Sequence, residues 1–246
     1  MFDNIIYDLI NKAQTDESLI QLGSTVSASQ YLKLYCLSEK YLTKGSIVLD
    51  WGTGNGHFSY FLVKMGYDTY GYGFNGYPKI CDQFDQPVYK YKNGDWQDPV
   101  SIPYEANFFD GVVSVGVLEH VRESGGNEIK SLKEICRILK DNGIFICYHL
   151  PNKYSWIEMI ASHLKKDTHQ YKYDKSEIID LLKTAGFEII EIKRYGFLPR
   201  NLWRKGYFKK ISRLFFLADL YNMLDDMLSL FGSYFCQNFY FIARKK

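Results

Sequence analysis

The sequence predicts an α/β protein in which helices cover both faces of a mostly parallel sheet. Three observations lead to this prediction. Short β-branched runs alternate with amphipathic helical stretches from about residue 46 to 196, a glycine-rich turn follows the first run, and nothing in the 246 residues marks a cut between two full domains. Alternating strands and helices form βαβ units, and these units build parallel sheets.

The predicted elements follow one another without a long linker. The chain up to about Lys44 is predicted to be helical, because apolar residues between Ser27 and Leu42 recur close to every 3.6 residues. Gly45 ends this region. The first later elements are the strand SIVLD, the helix HFSYFLVKMG, the strand YDTYGYG and a short polar helix. They are followed by the strands PVYKYKNGD and FFDGVVSVGVL and by the helix NEIKSLKEICRILKDNG, which Asn142-Gly143 closes. The last are the strand GIFICYHLP, the helix SEIIDLLKTAG, which Ser176 caps, and the strand FEIIEIKRYG.

Composition and charge exclude several classes of protein. With 46% hydrophobic and 24% charged residues, the chain is not intrinsically disordered. A net charge of +2 excludes nucleic-acid binding through bulk electrostatics. The five cysteines form no CxxC pair, and we find neither a signal peptide nor an apolar run of the roughly 18 residues that a membrane span needs. We therefore expect a cytoplasmic protein with reduced thiols.

The turn after the first predicted strand has the character of a ligand-binding loop. In SIVLDWGTGNGHF, Asp50 ends the strand, and Gly52, Gly54 and Gly56 lead into a helix. Such a turn presents backbone N–H groups and a helix N-terminus to a ligand. His57 occupies the position of the third glycine in G-x-G-x-x-G, which argues against a nicotinamide or flavin nucleotide.

Five segments in order resemble the class I S-adenosylmethionine-dependent methyltransferases: VLDWGTGNG, NGDWQDP, FDGVVSVGVLEHV, EICRILKDNGIFICYHLPN and KSEIIDLLKTAGFEII. The resemblance is closest to the small-molecule, quinone, lipid and glycan branches. It implies a Rossmann-like, doubly wound sheet of seven strands, the last of which, near residues 236–243, is antiparallel. We expect a single domain over residues 1–246, with N-terminal helices (1–44), a cofactor-binding core (45–198), a helical insertion (199–235) and the last strand (236–246).

The resemblance implies S-adenosylmethionine as cofactor, S-adenosylhomocysteine as product, and a set of binding residues. Gly52, Gly54 and Gly56 would contact the methionine part, and Asp50 would bind its amino group directly or through water. The remaining assignments are Phe74 packed on adenine, Asp95 accepting from the adenine amine beside Trp96, and Val115 with Gly116 lining the methyl-transfer site.

One position departs from the family pattern. An acid usually ends the second strand and binds both ribose hydroxyls, but this chain has Gly73 there. Loss of such a bidentate bond costs roughly 1.5–3 kcal/mol. Three alternatives stay open: weak cofactor binding, substitution by Asn75 or a water molecule, or a catalytically degenerate member of the family.

Two histidines are candidates for the base that removes a proton from an acceptor hydroxyl. His120 follows the fourth core strand and His149 ends the fifth. Glu119 beside His120 is compatible with a divalent metal, but two ligands are too few, and no metal site is predicted.

The segment after Pro199 combines basic and apolar residues. Trp203, Tyr207, Ile211, Leu214 and Ala218 have the spacing of one helical face, and residues 200–213 include six basic residues. The segment is either a helical lid over the active site or a peripheral contact, through residues 200–230, with the inner face of a membrane. The sequence thus predicts methyl transfer, mainly to oxygen, on a small, lipid-linked or glycan acceptor and not on a nucleic acid. The alternative is a non-catalytic binding or scaffold protein with the same fold.

Overall fold

The computed structural model describes residues 2–84, 88–166, 168–204 and 215–246. It contains a seven-stranded sheet in the order β3-β2-β1-β4-β5-β7-β6, in which β7 is antiparallel to both of its neighbours. The strands are β1 Ile47–Trp51, β2 Asp68–Gly73, β3 Tyr89–Asn93, β4 Phe109–Val115, β5 Leu139–Pro151, β6 Phe187–Tyr195 and β7 Asn238–Lys245. The α-helices are α1 Phe2–Lys12, α2 Thr25–Ala28, α3 Leu32–Tyr41, α4 His57–Lys64, α5 Glu128–Ile138, α6 Trp156–His163, α7 Lys175–Thr184 and α8 Phe215–Phe231. The predicted fold is therefore confirmed.

Each face of the sheet carries its own apolar core. On one face α1, α3 and α4 contribute buried residues such as Leu9, Tyr35 and Phe61. On the other face α5 and α7 contribute Leu132 and Leu182, among others. In the part of the chain that the structure describes, no helix combines the length and the apolar character that crossing a membrane requires.

Several predicted boundaries were wrong. Helix α5 ends at Ile138 and not at Asn142-Gly143, because Leu139 is fully buried and pairs with β4. The N-cap of α7 is Asp174, which forms a capping box with Glu177, instead of Ser176. Helix α6 was not predicted at all. The predicted helical face from Trp203 to Ala218 lies mostly outside the described residues, and only α8 can be compared with it.

The topology determines where a ligand can bind. Strand β1 lies between β2 and β4, and the chain winds away from β1 in both directions. In open α/β sheets ligands bind beyond the carboxyl ends of the strands at this switch point. The glycine-rich turn after β1 lies at this position.

Candidate functional site

The turn after β1 has a backbone that requires glycine. Gly52, Gly54 and Gly56 have φ angles of +81°, +50° and +81°. The N–H groups of Gly52 and Thr53 both donate to the carbonyl of Tyr72 in β2, at 2.8 and 3.1 Å. A Cβ at Gly52 would lie 2.3 Å from a methyl group of Val117, so no side chain fits there. The turn is thus held close to β2 and to the loop after β4.

A cavity of about 380 Å³ opens beside this turn. Its size lies within the range of small-molecule sites. It includes six of the residues predicted from the sequence for the cofactor, for the methyl-transfer site or for catalysis, together with Gly73 and Asn75. The full lining is Trp51, Gly52, Gly54, Tyr72, Gly73, Phe74, Asn75, Trp96, Pro99, Gly116, Val117, His120, Val121, Glu123 and Ser124.

Two aromatic rings lie at one end of the cavity. The ring centroids of Phe74 and Trp96 are 4.8 Å apart, and the indole is 63% exposed, which leaves it accessible to a ligand. Gly94 packs against Phe74 so closely that a Cβ would lie 2.5 Å from the ring. Asp95 does not line the cavity. Its carboxylate accepts from the N–H of Gln97 at 2.8 Å, which is a turn contact, and its contact with the adenine amine stays a prediction.

Three other predicted residues also lie outside the cavity lining. Gly56 packs against Pro78, and Val115 packs within the apolar core, leaving Gly116 and Val117 to line the cavity. Asp50 is 2% exposed and accepts a hydrogen bond from Ser59 Oγ in α4 at 2.6 Å. Asp50 therefore links the turn to α4. Its contact with the cofactor amino group, directly or through water, stays a prediction.

The burial of Asp50 predicts a pH dependence of stability. Burial raises the pKa of Asp50 to about 7, above its unfolded value of 3.8. The folded state therefore holds a proton that the unfolded state loses, and the free energy of unfolding falls as the pH rises toward 7. An asparagine stays neutral and still accepts from Ser59. We expect Asp50→Asn to stabilise the protein by on the order of 3 kcal/mol at about pH 8 and by almost nothing at about pH 4. Denaturant unfolding at both pH values tests this, and a gain independent of pH would contradict it.

Gly73 ends β2 on the cavity wall, as the sequence predicted, with no acid in its place. A Cβ there would lie 3.0 Å from Thr53 Oγ1 and 3.5 Å from the hydroxyl of Tyr91. The hydroxyl of Tyr91 donates to the carbonyl of Gly73 at 3.0 Å. The close approach of Thr53 gives a physical reason for glycine at this position.

His120 lies on the cavity wall with a carboxylate on each side. Its Nδ1 is 2.8 Å from Glu123 Oε2, and its Nε2 is 3.9 Å from Glu119 Oε1. Because a carboxylate only accepts, Nδ1 carries the proton, and Nε2 is the basic nitrogen when the ring is neutral. Glu119 is 3% exposed, burial raises its pKa to about 7, and its Oε2 has no hydrogen-bond partner.

The structure adds His169 to this group. His169 belongs to the segment between α6 and α7, and its Nδ1 is 2.9 Å from Glu158 Oε1. Ligand atoms of Glu119, His120 and His169 lie within 4.8 Å of one another. The sequence predicts no metal site, because only Glu119 and His120 are adjacent in it, and the fold brings His169 to them.

His149 lies on the far side of Gly116 and does not line the cavity. Its φ is +64°, and a Cβ on Gly116 would lie 3.9 Å from the Cβ of His149. The hydroxyl of Tyr195 accepts from the backbone N–H of His149 at 3.0 Å and lies 2.7 Å from Nδ1. His149 is therefore oriented by Tyr195, and of the two predicted bases only His120 reaches the cavity.

Sequence reasoning missed several residues of this site. Glu123 carries the strongest signal, because a carboxylate three residues after His120 lies within reach of that ring in a helical turn. Tyr72, Pro99 and Val121 line the cavity only through the fold, and nothing in their spacing indicates it. None of the lining residues comes from 199–204 or 215–235, so the described part of the insertion forms no lid over this cavity.

Comparison with known proteins yields one curated relative with partial coverage. The chain is 30% identical over 112 residues to a tRNA (carboxymethyluridine(34)-5-O)-methyltransferase of Arabidopsis thaliana. That match covers 43% of this chain, and the chain spans about a quarter (24%) of the length of the relative.

Solved structures share the fold at low identity. A Galdieria sulphuraria protein assigned as a sarcosine dimethylglycine methyltransferase superposes with a TM-score of 0.60 at 17% identity, covering 89% of this chain and 85% of that one. An S-adenosylmethionine-dependent methyltransferase of Archaeoglobus fulgidus gives a TM-score of 0.57 at 20% identity, covering 91% and 95%. A family model described as a methyltransferase domain matches residues 29–192, well over half of the chain. The chain therefore belongs to the methyltransferase domain family.

Proposed function

We propose that this chain methylates an oxygen atom of a small, lipid-linked or glycan acceptor. S-Adenosylmethionine, when bound, supplies a methyl group that its sulfonium centre already activates. The observation that carries the proposal is the shared cavity, in which the glycine turn and His120 face the same space. A cofactor held by the turn and a hydroxyl held near His120 would therefore meet.

The residues present fit this cofactor. A Cβ on Gly54 would meet nothing closer than the carbonyl of Gly52 at 3.9 Å, so the space beside the turn is open to a ligand. Phe74 and Trp96 offer ring faces to a planar base. The amide of Asn75 lies on the same wall and is the polar group available near the end of β2. We assign the cofactor to this cavity on these grounds.

His120 would remove the proton from the acceptor hydroxyl. Methyl transfer to a hydroxyl needs a group that takes its proton, and a positioned base contributes about 10²–10⁴-fold. The carboxylate of Glu123 holds the imidazole through Nδ1, which leaves Nε2 to accept. Glu123 is a positioning residue in this scheme because it acts on the ring and not on the acceptor.

The choice of acceptor rests on charge. The Arabidopsis relative is named for an O-methylation, which agrees with oxygen as the acceptor atom. That name also specifies tRNA, but a chain with a net charge of +2 and no wide basic tract lacks the extended basic surface that binding along a nucleic-acid backbone requires. A small, lipid-linked or glycan acceptor needs no such excess.

Calorimetric titration of the full chain with S-adenosylhomocysteine tests the cofactor assignment. We expect a dissociation constant in the micromolar range, followed by turnover of S-adenosylmethionine when a panel of hydroxylated acceptors is screened. The absence of binding up to millimolar concentration would contradict the proposal and favour a non-catalytic scaffold with the same fold.

Gly73 offers a second test of the cofactor site. We expect Gly73→Asp combined with Thr53→Ala to bind S-adenosylhomocysteine about tenfold more tightly than Thr53→Ala alone, because a carboxylate there accepts from both ribose hydroxyls. Gly73→Asp alone should gain less, since its Cβ presses on Thr53 Oγ1. Equal affinities for Thr53→Ala and the double variant in calorimetry would show that the ribose does not lie beside this residue.

A further inference from the structure

Helix α8 carries a continuous set of exposed apolar side chains along one side. With Phe216 as the reference, the residues at positions +4, +7, +11, +14 and +15 fall on the same side of an ideal helix. All are exposed, and Leu230 and Phe231 reach 80% and 88%. We call this set the outer apolar face; its members are Phe216, Leu220, Met223, Met227, Leu230 and Phe231.

The opposite side of α8, which packs on the protein, combines the buried Ala218 with paired polar groups. Asp225 is 3% exposed, pairs with Arg200 at 2.9 Å and accepts from the N–H of Leu198. Asn222 accepts from Arg200 and lies 3.2 Å from the hydroxyl of Ser29. The usual pattern of a surface helix is thus inverted, with ion pairs inside and Phe, Leu and Met outside. Apolar side chains exposed in this way indicate that the outer side of the helix contacts an apolar surface or medium.

Helix α6 contacts Phe197, which also packs beside the end of α8, and it has the same exposed apolar character. It has no buried residue, and Met159, Ile160 and Leu164, in and just after it, are each about half exposed or more. The indole N–H of Trp156 donates to the carbonyl of Phe197, whose ring also packs against Gly232 directly after α8. Two neighbouring helices therefore expose large apolar side chains on this part of the surface.

The charges near these helices are mostly basic. Lys165 and Lys166 are exposed and follow Leu164 directly. Five basic residues and no acid occur between positions 204 and 214, immediately before α8 in the sequence, although residues 205–214 lie outside the described part. Among the carboxylates of α8, Asp225 is buried with Arg200 and Asp226 pairs with Lys33 at 2.7 Å, which leaves Asp219 outside these two ion pairs.

We propose that the outer apolar face docks on the surface of an anionic phospholipid membrane. An apolar helix face with basic residues beside it is the combination that binds in the interface of such membranes, without crossing them. A second copy of the chain is the less suitable occupant, because a twofold contact would bring together two copies that both carry Lys165 and Lys166 exposed near these helices.

Vesicle sedimentation of the full chain tests the proposal. We expect at least tenfold stronger partition into vesicles of equal parts phosphatidylglycerol and phosphatidylcholine than into phosphatidylcholine alone. Leu230→Ser with Phe231→Ser should lower partition into the anionic vesicles at least tenfold, because these side chains would no longer enter the acyl boundary. Lys165→Glu with Lys166→Glu should weaken binding to the anionic vesicles only.

The matched control is Ile20→Ser with Val88→Ser, which removes exposed apolar side chains elsewhere. This control should bind like the parent, and all variants should keep its thermal midpoint, because the replaced side chains are exposed. Absence of binding by the parent, or equal binding by the Leu230/Phe231 variant, would overturn the proposal. A parent dimer in sedimentation equilibrium that the same variant converts to a monomer would overturn it in favour of self-association.

Discussion

Replacing His120 by alanine should lower kcat for methyl transfer by about 10²–10⁴-fold, the contribution of a positioned general base. His120 is the predicted base that lines the cavity, and its Nε2 is the nitrogen left to accept a proton. Alanine removes the base and keeps the backbone. The affinity for S-adenosylhomocysteine should change by less than about threefold, because proton removal contributes to the reaction and not to cofactor binding.

Glu123→Gln tests whether Glu123 acts on the reaction only by positioning the imidazole of His120. Glutamine can accept from Nδ1–H but carries no charge, so the imidazolium formed during the reaction loses stabilisation. We expect a kcat about tenfold below that of the parent, with the loss absent in a His120→Ala background. His163→Ala, at an exposed histidine of α6, is the control and should leave kcat unchanged. An unchanged kcat in His120→Ala would remove this residue from the proposed mechanism.

Chelation distinguishes the base from a metal ligand at the same histidine. A histidine that binds a metal through Nε2 cannot also accept a proton there. With His120 as the base, kcat should be the same with and without a chelator. A kcat that disappears on chelation and returns with a divalent cation would instead assign Glu119, His120 and His169 as ligands, since their atoms lie within 4.8 Å.

Gly54→Arg should weaken the binding of S-adenosylhomocysteine by more than about 100-fold, equivalent to nearly 3 kcal/mol. A side chain at Gly54 would point into open space beside the turn, where the cofactor is assigned. The arginine would fill that part of the cavity. Calorimetric titration of the variant and the parent measures the effect.

Gly45→Arg is a closely matched control for this substitution. Gly45 has a φ of +84°, and a Cβ there would meet nothing within 4 Å, so the same side chain imposes a comparable backbone strain without a clash. It precedes β1 and does not line the cavity. Both variants should lose similar thermal stability, but only Gly54→Arg should lose binding. Parallel losses of binding would indicate a general effect on folding.

The fold could be predicted from the sequence wherever the structure of a segment depends on the residue types within that segment. Strands of β-branched residues, the glycines after β1 and the helix periods identified the fold, because backbone conformation and burial depend on residue type over short spans. The boundary of α5 could not be obtained in this way. Leu139 leaves the helix because it pairs with Phe109, 30 residues earlier, and this contact exists only in the assembled sheet.

The site was predictable only in part for the same reason. The glycine turn, Phe74, Trp96 and His120 lie in or next to motifs with recognisable spacing. Asp50 and Asp95 lie in those motifs as well, but they do not line the cavity, and their carboxylates accept hydrogen bonds from Ser59 and from the N–H of Gln97. Whether a carboxylate faces a ligand or the protein depends on its neighbours in space, which spacing alone does not specify. His169 joined the site from a segment with no motif at all.

The position of β7 has a consequence for how the chain acquires its structure. Strand β6 pairs with β7 alone, and β5 also needs β7 along one edge. During synthesis β6 emerges well before β7, so it has no partner while the edge of β5 stays unpaired. Open strand edges of this kind are templates for aggregation. A chain that stops before Asn238 would therefore lose the pairing of two strands. The segment that completes the sheet also covers the strand edges through which nascent chains would aggregate.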